Sequence, residues 1–181
     1  MSDVRTESVL QENEGIEQLE LDALLGRLLS SQKAALDRVE EALPDIHRAV
    51  EAAVPRLQAG GRLIYGGAGT SGRIGLQDGV ELTPTFGLAP ERLVLLLAGG
   101  AGATTQAAEG AEDREDQARL DLEAHHPTAN DVVIGIAASG NTPYTCALLG
   151  AARAVGALAI GVAGGASSRL LGEADIGICI A

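Results

Sequence analysis

The architecture of the chain is set at Leu63-Ile64-Tyr65-Gly66-Gly67-Ala68-Gly69-Thr70-Ser71-Gly72-Arg73, where an apolar run passes directly into a glycine-rich turn. The apolar run predicts a buried strand, and the turn opens a predicted helix over residues 71–82. Glycines let the backbone approach a ligand closely, and a helix start offers free N–H groups at its positive end. The turn is therefore a candidate anion site, above all for a phosphate, with the hydroxyls of Thr70 and Ser71 as added donors. The alternative is a tight strand-to-helix turn that binds nothing.

The same glycines match the dinucleotide-binding pattern G-x-G-x-x-G at Gly67, Gly69 and Gly72. That pattern also requires an acidic residue at the end of the following strand, where it holds a ribose hydroxyl. The following predicted strand, residues 93–98, ends in two glycines and no acid. A nicotinamide site is therefore a minor alternative.

A second turn of similar build follows a predicted strand at residues 131–137. The turn consists of Ser139, Gly140, Asn141 and Thr142. It leads into a predicted helix whose first turn suits Pro143, because the missing N–H of proline costs nothing there. In a parallel sheet both turns lie at the carboxyl edge, where ligands bind, so we expect them to serve one site. The alternative is that Ser139 or Thr142 only caps the helix.

The order of elements predicts the fold. Five short apolar strands alternate with helices from residue 62 onward, near 62–66, 93–98, 131–137, 157–163 and 175–181. Continuous apolar strands alternating with helices indicate a parallel sheet covered on both faces. We predict an α/β fold, a three-layer α/β/α sandwich with a five-stranded parallel sheet.

A helical arm is predicted ahead of this sheet, so that the chain divides into residues 1–59 and 60–181. Leucines recur on one helical face at positions 21, 24, 25, 28 and 29, which predicts a first helix. A second helix is expected over residues 32–42. A third begins near Pro44 and runs to about residue 58, with Pro55 kinking or breaking it.

Composition restricts the partners. The 181 residues can build one substantial core, and a net charge of −12 disfavours nucleic acid and anionic membrane surfaces. Cys146 and Cys179 have no neighbouring Cys or His at metal-ligand spacing, so no metal site is expected. The polar N-terminus and the absence of a long apolar run predict no signal peptide, no membrane span and a cytoplasmic location.

Two segments can supply proton-transfer groups. Glu81 falls near the end of the helix predicted over 71–82, where the dipole disfavours a carboxylate and would help it act as a general acid. The alternative is a solvated surface acid. Residues 109–116 contain five acids, most of which suit a solvated helix start, and the pattern does not choose which of them faces the site as a base.

Taken together, these motifs resemble the N-acetylmuramic acid 6-phosphate etherases, which are sugar isomerase (SIS) domain proteins related to glucokinase regulatory protein. The resemblance runs in order from about residue 21 to residue 175. It is carried by residues 61–65, 67–73, 81, 84–86, 98–100, 109–113 and 131–144. It implies a flavodoxin-like SIS fold for residues 60–181.

The resemblance also implies a reaction. The lactyl ether of N-acetylmuramic acid 6-phosphate is cleaved by elimination and hydration, giving N-acetylglucosamine 6-phosphate and D-lactate. Glu81 matches the acid of the family and Glu112 its second catalytic glutamate, the base. The matching phosphate-cradling turns are Gly69, Thr70, Ser71, Gly72, Ser139, Gly140, Asn141 and Thr142. No metal or organic cofactor is implied, and a homodimer is.

Three hypotheses remain open from the sequence. The first is an etherase acting on a phosphorylated amino sugar, or the SIS portion of one. The second is a non-catalytic phosphosugar-binding regulatory module, favoured because the family continues into a helical C-terminal region beyond the point where this chain ends. The third is a phosphosugar isomerase. The contacts of Arg73 and Tyr144 are undecided: Arg73 suits either a phosphate or an ion pair with Asp78.

Overall fold

The computed structural model describes residues 14–180, and these form a parallel five-stranded sheet between two layers of helices. The strands are β1 (Leu63–Gly67), β2 (Leu93–Leu97), β3 (Val132–Ala137), β4 (Leu158–Ala163) and β5 (Ile176–Cys179). Their order across the sheet is β2-β1-β3-β4-β5, with every neighbouring pair parallel. The predicted α/β/α sandwich is confirmed. In this order ligands bind beside the carboxyl ends of β1 and β3, where the direction of winding reverses.

Six α-helices occur within residues 14–180. They are α1 (Leu21–Glu41), α2 (Leu43–Gln58), α3 (Gly69–Phe86), α4 (Glu115–Glu123), α5 (Pro143–Ala154) and α6 (Arg169–Glu173). Alternate strand residues face opposite layers, so the sheet has a core on each side. On one side the strands pack with α2, and α3 lies over β1 and β2. On the other side α4, α5 and α6 cover a core that includes Ile64, Val133 and Leu148.

A row of glycines crosses four neighbouring strands on the α5 and α6 side. The paired residues are Gly66, Gly135, Gly161 and Gly177. A Cβ at Gly66 would lie 1.9 Å from Leu148 Cδ2, and one at Gly135 would lie 2.9 Å from Leu149 Cγ. The row therefore forms a trough into which α5 leucines insert. Since these glycines have ordinary strand geometry, their role is close packing.

The N-terminal helices differ from the prediction at two points. One continuous helix, α1, spans the region where two were expected, because no breaker follows the leucines and Ser30 Oγ donates to Gly26 O at 2.9 Å within the helix. The third predicted helix is α2, which begins beside Pro44 and continues past Pro55 to Gln58. Pro55 therefore lies in the last turn and marks no break. The division between residues 59 and 60 stays a prediction, and its residues 1–13 lie outside the described part.

The helix after the first glycine turn is also longer than predicted. It ends at Phe86 instead of residue 82, with Gly87 at φ 69° closing it in the left-handed conformation. Pro84 is inside this helix and does not stop it. Its buried face consists of Gly72, Gly75 and Gly79, so α3 lies close against the sheet.

The amino ends of β1 and β3 are joined by a buried ion pair. Asp131, only 2% exposed, accepts from the Arg62 backbone N–H at 2.8 Å and from Arg62 Nη2 at 2.7 Å. The Thr128 backbone N–H also donates to it at 2.8 Å. Burial alone would raise the pKa of Asp131, but these donors hold it below its ordinary value. Arg62 further donates to the carbonyls of His125 and His126, which ties down the turn before β3.

The two cysteines are free: Cys146 is buried and Cys179 is half-buried. Burial raises the pKa of Cys146 to about 11, so its thiol stays protonated at neutral pH. No helix within residues 14–180 combines the length and apolar character needed to cross a bilayer.

Candidate functional site

The first glycine turn connects the end of β1 to the start of α3. Ala68 occupies the N-cap position and no side chain caps the helix, so its first-turn N–H groups are open to a ligand. Gly69 and Thr70 are exposed there. Gly69 has φ 54° with open space around it, which suits close approach of an anion. An uncapped helix start with open space beside it is what the predicted anion site requires, and the anion site itself stays a prediction.

Not all of these glycines serve a ligand. A Cβ on Gly67 would lie 2.8 Å from Gly72 Cα, and one on Gly72 would lie 2.5 Å from Leu97 Cδ1. Gly67 and Gly72 therefore let α3 cross tightly over the end of β1. The prediction attributed the glycines to a ligand, whereas packing accounts for these two.

The second turn lies beside the first. The Ala138 backbone N–H donates to Ser71 Oγ at 3.3 Å, which joins the end of β3 to the first turn of α3. Ser139 Oγ accepts from the Asn141 N–H at 3.2 Å, and Asn141 Oδ1 accepts from the Arg169 N–H at 3.1 Å. Thr142 holds the N-cap position of α5, but no side chain caps that helix. The polar groups of Ser139 and Asn141 thus shape the turn, and the first N–H groups of α5 belong to Tyr144 and Thr145, which are both fully buried.

Two glutamates face the first turn across a cleft of about 220 Å³. Glu109 and Glu112 line one wall, and Gly69, Thr70 and Arg73 line the other. The remaining acids of this segment are placed elsewhere. Glu115 pairs with Arg119 and Arg169, and Asp116 pairs with Arg114, which lowers the pKa of each carboxyl, that of Asp116 to about 2. The fifth acid, Asp113, does not line the cleft, so the structure narrows the candidate base in this segment to Glu109 or Glu112.

A second, larger cleft of about 500 Å³ adjoins the first. The two share Glu109, Gly110 and Ala111 in their walls. Asp121 also lines the larger cleft and accepts from the Tyr144 hydroxyl at 2.7 Å. Tyr144 itself is fully buried, and burial together with this bond raises its pKa. Tyr144 is thus a packing residue.

Arg73 makes neither of the two contacts considered from the sequence. Its Nε donates to Ala103 O at 2.9 Å and its Nη2 to Gln106 O at 3.1 Å. The guanidinium thereby fastens the segment after β2 to the start of α3. Asp78 instead accepts from the Tyr65 hydroxyl at 2.6 Å. Arg73 is a positioning residue that holds the wall bearing Glu109 and Glu112 opposite the glycine turn, and sequence patterns carry no signal for such a carbonyl clamp.

Replacing Arg73 with Lys should loosen this wall. A single ammonium cannot span both carbonyls, so at least one hydrogen bond is lost, at a cost of about 1 kcal/mol. We expect amide hydrogen exchange over residues 101–112 to rise by about fivefold, with the sheet unchanged. Arg119→Lys, at an exposed arginine paired with Glu115, is the matched control. Equal exchange in the two variants would contradict the clamp.

Glu81 lies outside this cleft. It is exposed on α3, five residues before the helix ends at Phe86, so it does not terminate the helix as predicted. The helix dipole disfavours a carboxylate only within the last turn of a helix. It therefore gives no reason for Glu81 to act as an acid at this position. The rise of an α-helix puts Glu81 about 16 Å from Thr70 along the axis. Of the two glutamates matched to the family, only Glu112 meets the glycine turn.

Within residues 14–180, no three side chains of His, Cys, Asp or Glu converge as a metal site would require. The residues that line the cleft supply backbone amides, the Thr70 hydroxyl, one guanidinium and two carboxylates. This set can bind a phosphorylated ligand at the helix start and present a carboxylate to it for proton transfer.

Comparison with known proteins agrees with this picture. The family described as glucokinase regulatory protein N-terminal SIS domain matches residues 28–153. The N-acetylmuramic acid 6-phosphate etherase of Deinococcus radiodurans is 46% identical over 94% of this chain and 56% of its own length. Etherase 1 of Enterococcus faecalis is 49% identical over 88% of this chain and 52% of its own length. The chain thus spans about half the length of the curated relatives it matches.

Among solved structures, a phosphoheptose isomerase from Francisella tularensis superposes with a TM-score of 0.64 at 22% identity, covering 87% of this chain and 85% of that one. At this identity the likeness shows the fold alone, which is the sandwich described above. The family match covers well over half of the chain, and the resemblance seen in the motifs is confirmed. The chain therefore belongs to the family of the glucokinase regulatory protein N-terminal SIS domain, and N-acetylmuramic acid 6-phosphate etherases are among its relatives.

Proposed function

We propose that this chain is the SIS portion of an etherase that acts on N-acetylmuramic acid 6-phosphate. The observation that carries the proposal is the cleft in which the uncapped start of α3 faces Glu109 and Glu112. A phosphorylated amino sugar fits this arrangement, because its phosphate can occupy the helix start while its carbon chain extends toward the carboxylates. Etherase relatives at 46% and 49% identity support the choice of substrate.

The proposed chemistry uses two proton transfers on the open-chain sugar. Glu112 removes the C2 proton, which the C1 aldehyde acidifies. The C3–oxygen bond then breaks to leave a C2–C3 double bond, and the departing lactate oxygen takes a proton. The resemblance to the etherases assigns this proton to Glu81, although Glu81 does not line the cleft described above. Water adds back across the double bond, with its oxygen at C3 and a proton at C2, giving N-acetylglucosamine 6-phosphate. Each transfer by a positioned side chain contributes about 10²- to 10⁴-fold to the rate.

The residues proposed to bind the phosphate lie in the two neighbouring turns. They are Gly69, Thr70, Ser71, Ser139, Gly140, Asn141 and Thr142, and Gly72, which was expected among them, instead packs against β1. The contact between Ala138 and Ser71 supports their acting together, because it brings the two turns side by side. In the first turn the open N–H groups of α3 and the Thr70 hydroxyl are the proposed donors. In the second turn the proposed donors are the hydroxyls of Ser139 and Thr142.

A homodimer and a cytoplasmic location complete the proposal. Leu21, Leu25, Leu28 and Leu29 on α1 are all exposed, so an apolar stripe of this helix has no partner within residues 14–180. A second copy would cover such a stripe and remove it from water. The cytoplasm is where free thiols such as those of Cys146 and Cys179 persist.

The direct test is D-lactate release from N-acetylmuramic acid 6-phosphate by the purified chain, with binding of N-acetylglucosamine 6-phosphate followed in parallel. We expect both release and binding. Binding without release would favour a phosphosugar-binding module for this portion, and an aldose–ketose conversion without release would favour an isomerase. A folded sample that shows neither release nor binding would contradict the phosphosugar site itself.

A further inference from the structure

We propose that the ion pair between Arg169 and Glu115 couples the second turn, residues 139–142, to the short turn that carries Glu112. Phosphate held at the second turn then sets the position of the proposed base. Arg169 contacts neither the sugar nor the reacting atoms in this arrangement, so it is a positioning residue. The inference rests on the proposed function, which supplies the phosphate site and the role of Glu112.

The start of α6 is built onto the second turn. The Leu170 backbone N–H donates to Gly140 O at 2.8 Å. The Arg169 backbone N–H donates to Asn141 Oδ1 at 3.1 Å. A Cβ on Gly140 would lie 2.3 Å from Ser168 Cβ, so no gap separates the two segments. Because interiors this closely packed transmit strain, a shift of the second turn moves the backbone of Arg169.

The side chain of Arg169 carries the connection to α4. Its Nη1 donates to Glu115 Oε1 at 2.6 Å, a short charge-assisted hydrogen bond between residues 54 positions apart. This bond is the chief cause of the lowered pKa of the Glu115 carboxyl, which therefore stays charged at neutral pH. Glu115 is the first residue of α4 and follows Glu112 by three positions. The ion pair thus attaches α6 to the chain immediately after the proposed base.

The turn that carries Glu112 is only loosely held by its own backbone. The hydrogen bonds that join residues 108–114 to one another are 3.3–3.4 Å long, whereas about 2.9–3.0 Å is usual. Ala111 packs in part against the core, but Glu109 and Glu112 around it are exposed. The position of Glu112 therefore depends on attachments from outside the turn.

Two arginines supply those attachments, one from each of the two turns proposed to bind phosphate. Arg73, which follows the first turn, holds the segment after β2 ahead of the glutamates. Arg169, bonded to the second turn, holds Glu115 behind them. A phosphate bound by both turns therefore fixes both ends of the segment that carries Glu112. Binding energy from the phosphate is then used to place the base, which raises kcat and not only affinity.

The kinetics of Arg169→Gln and Glu115→Gln test the coupling. Each substitution removes the ion pair and keeps the backbone N–H of residue 169 as a donor to Asn141. We expect kcat for D-lactate release to fall about tenfold in each, which is less than the ~100-fold that a misplacement of ~1 Å can cost. Binding of N-acetylglucosamine 6-phosphate should change little. The double variant should be no slower than either single one, because both substitutions remove the same link.

Two control variants separate positioning from a loss of stability. Arg119→Gln removes the other partner of Glu115 within α4 and leaves the link to Arg169, so its kcat should stay near that of wild type. Arg169→Lys keeps a charged partner for Glu115 and should retain most of kcat. Because the pair is partly exposed to water, its loss should lower the melting temperature by no more than roughly 2–4 °C. An unchanged kcat in Arg169→Gln, or an equal loss in Arg119→Gln, would overturn the coupling.

Hydrogen exchange in the presence of inorganic phosphate gives a readout that does not depend on activity. In wild type and Arg119→Gln, phosphate should slow amide exchange at residues 139–142 and also at residues 109–113, the latter about fivefold. In Arg169→Gln the protection of residues 139–142 should remain, and that of residues 109–113 should be largely lost. This pattern in a chain that releases no lactate would leave the coupling standing and remove the etherase activity. Equal protection of residues 109–113 in Arg169→Gln and wild type would overturn the coupling alone.

Discussion

Replacing Glu112 with Gln is expected to lower kcat for D-lactate release by about a thousandfold, since the amide cannot accept the C2 proton. Glu112 lines the cleft opposite the glycine turn, and Gln keeps its size and its exposed position on the short turn at Ala111–Asp113. Binding of N-acetylglucosamine 6-phosphate should change little, because the proposed phosphate donors lie at the start of α3 and in the turn after β3. The measurement pairs a lactate assay with a binding titration.

Glu109→Gln is the matched control for this prediction. Glu109 lines the same cleft and belongs to the same segment, so both substitutions remove one charge from one wall. If Glu112 is the base, the Glu109 variant keeps most of its activity and still exchanges the C2 proton with solvent deuterium, while the Glu112 variant does not. The reverse pattern would assign the base to Glu109 and overturn the role carried over from the etherases.

The strands and their parallel arrangement were predictable because both faces of the sheet are covered. Residues 93–98 and 132–137 are runs without a polar side chain, and such runs between helices leave few other arrangements. Helix ends were harder to predict. Pro55 and Pro84 lie inside α2 and α3, each within three residues of the end of its helix, so the rule that proline stops a helix failed at both. Predicting the glycine row from Gly66 to Gly177 requires the register of the neighbouring strands, and no single stretch of sequence contains that information.

The site was predictable only in its local parts. Each turn is a contiguous motif, and the two turns meet at the sheet edge because parallel strands bring their carboxyl ends together. The clamp from Arg73 to Ala103 and Gln106 joins residues some thirty positions apart through backbone carbonyls, which any sequence provides. The position of Glu81 depends on the length of α3. The sequence predicted the end of α3 four residues too early, and Glu81, an exposed residue within the helix, was therefore expected at its end.

The second large effect is expected from Asp131→Asn, which should lower the free energy of unfolding by about 3–5 kcal/mol. The carboxylate is 2% exposed and accepts from Arg62 and Thr128. An amide in its place turns one acceptor into a donor that faces other donors, and it leaves the Arg62 guanidinium without its counter-charge. For a chain of this size the melting temperature should fall by roughly 10 °C. Calorimetry or thermal unfolding followed by circular dichroism measures the change.

The pH dependence separates this ion pair from a general loss of packing. Because the pKa of Asp131 is lowered in the folded chain, its contribution is present above the unfolded value of about 4 and is lost as pH falls through the folded value. The gap in stability between wild type and Asp131→Asn should therefore be widest near neutral pH and shrink in acid below about pH 4. Asp116→Asn is the control, because its pKa is also lowered by an arginine but the pair is exposed to water. We expect that variant to melt close to wild type at every pH. If the difference in unfolding free energy between wild type and Asp131→Asn stayed constant down to pH 2, the loss of stability would come from altered packing and not from the lost charge.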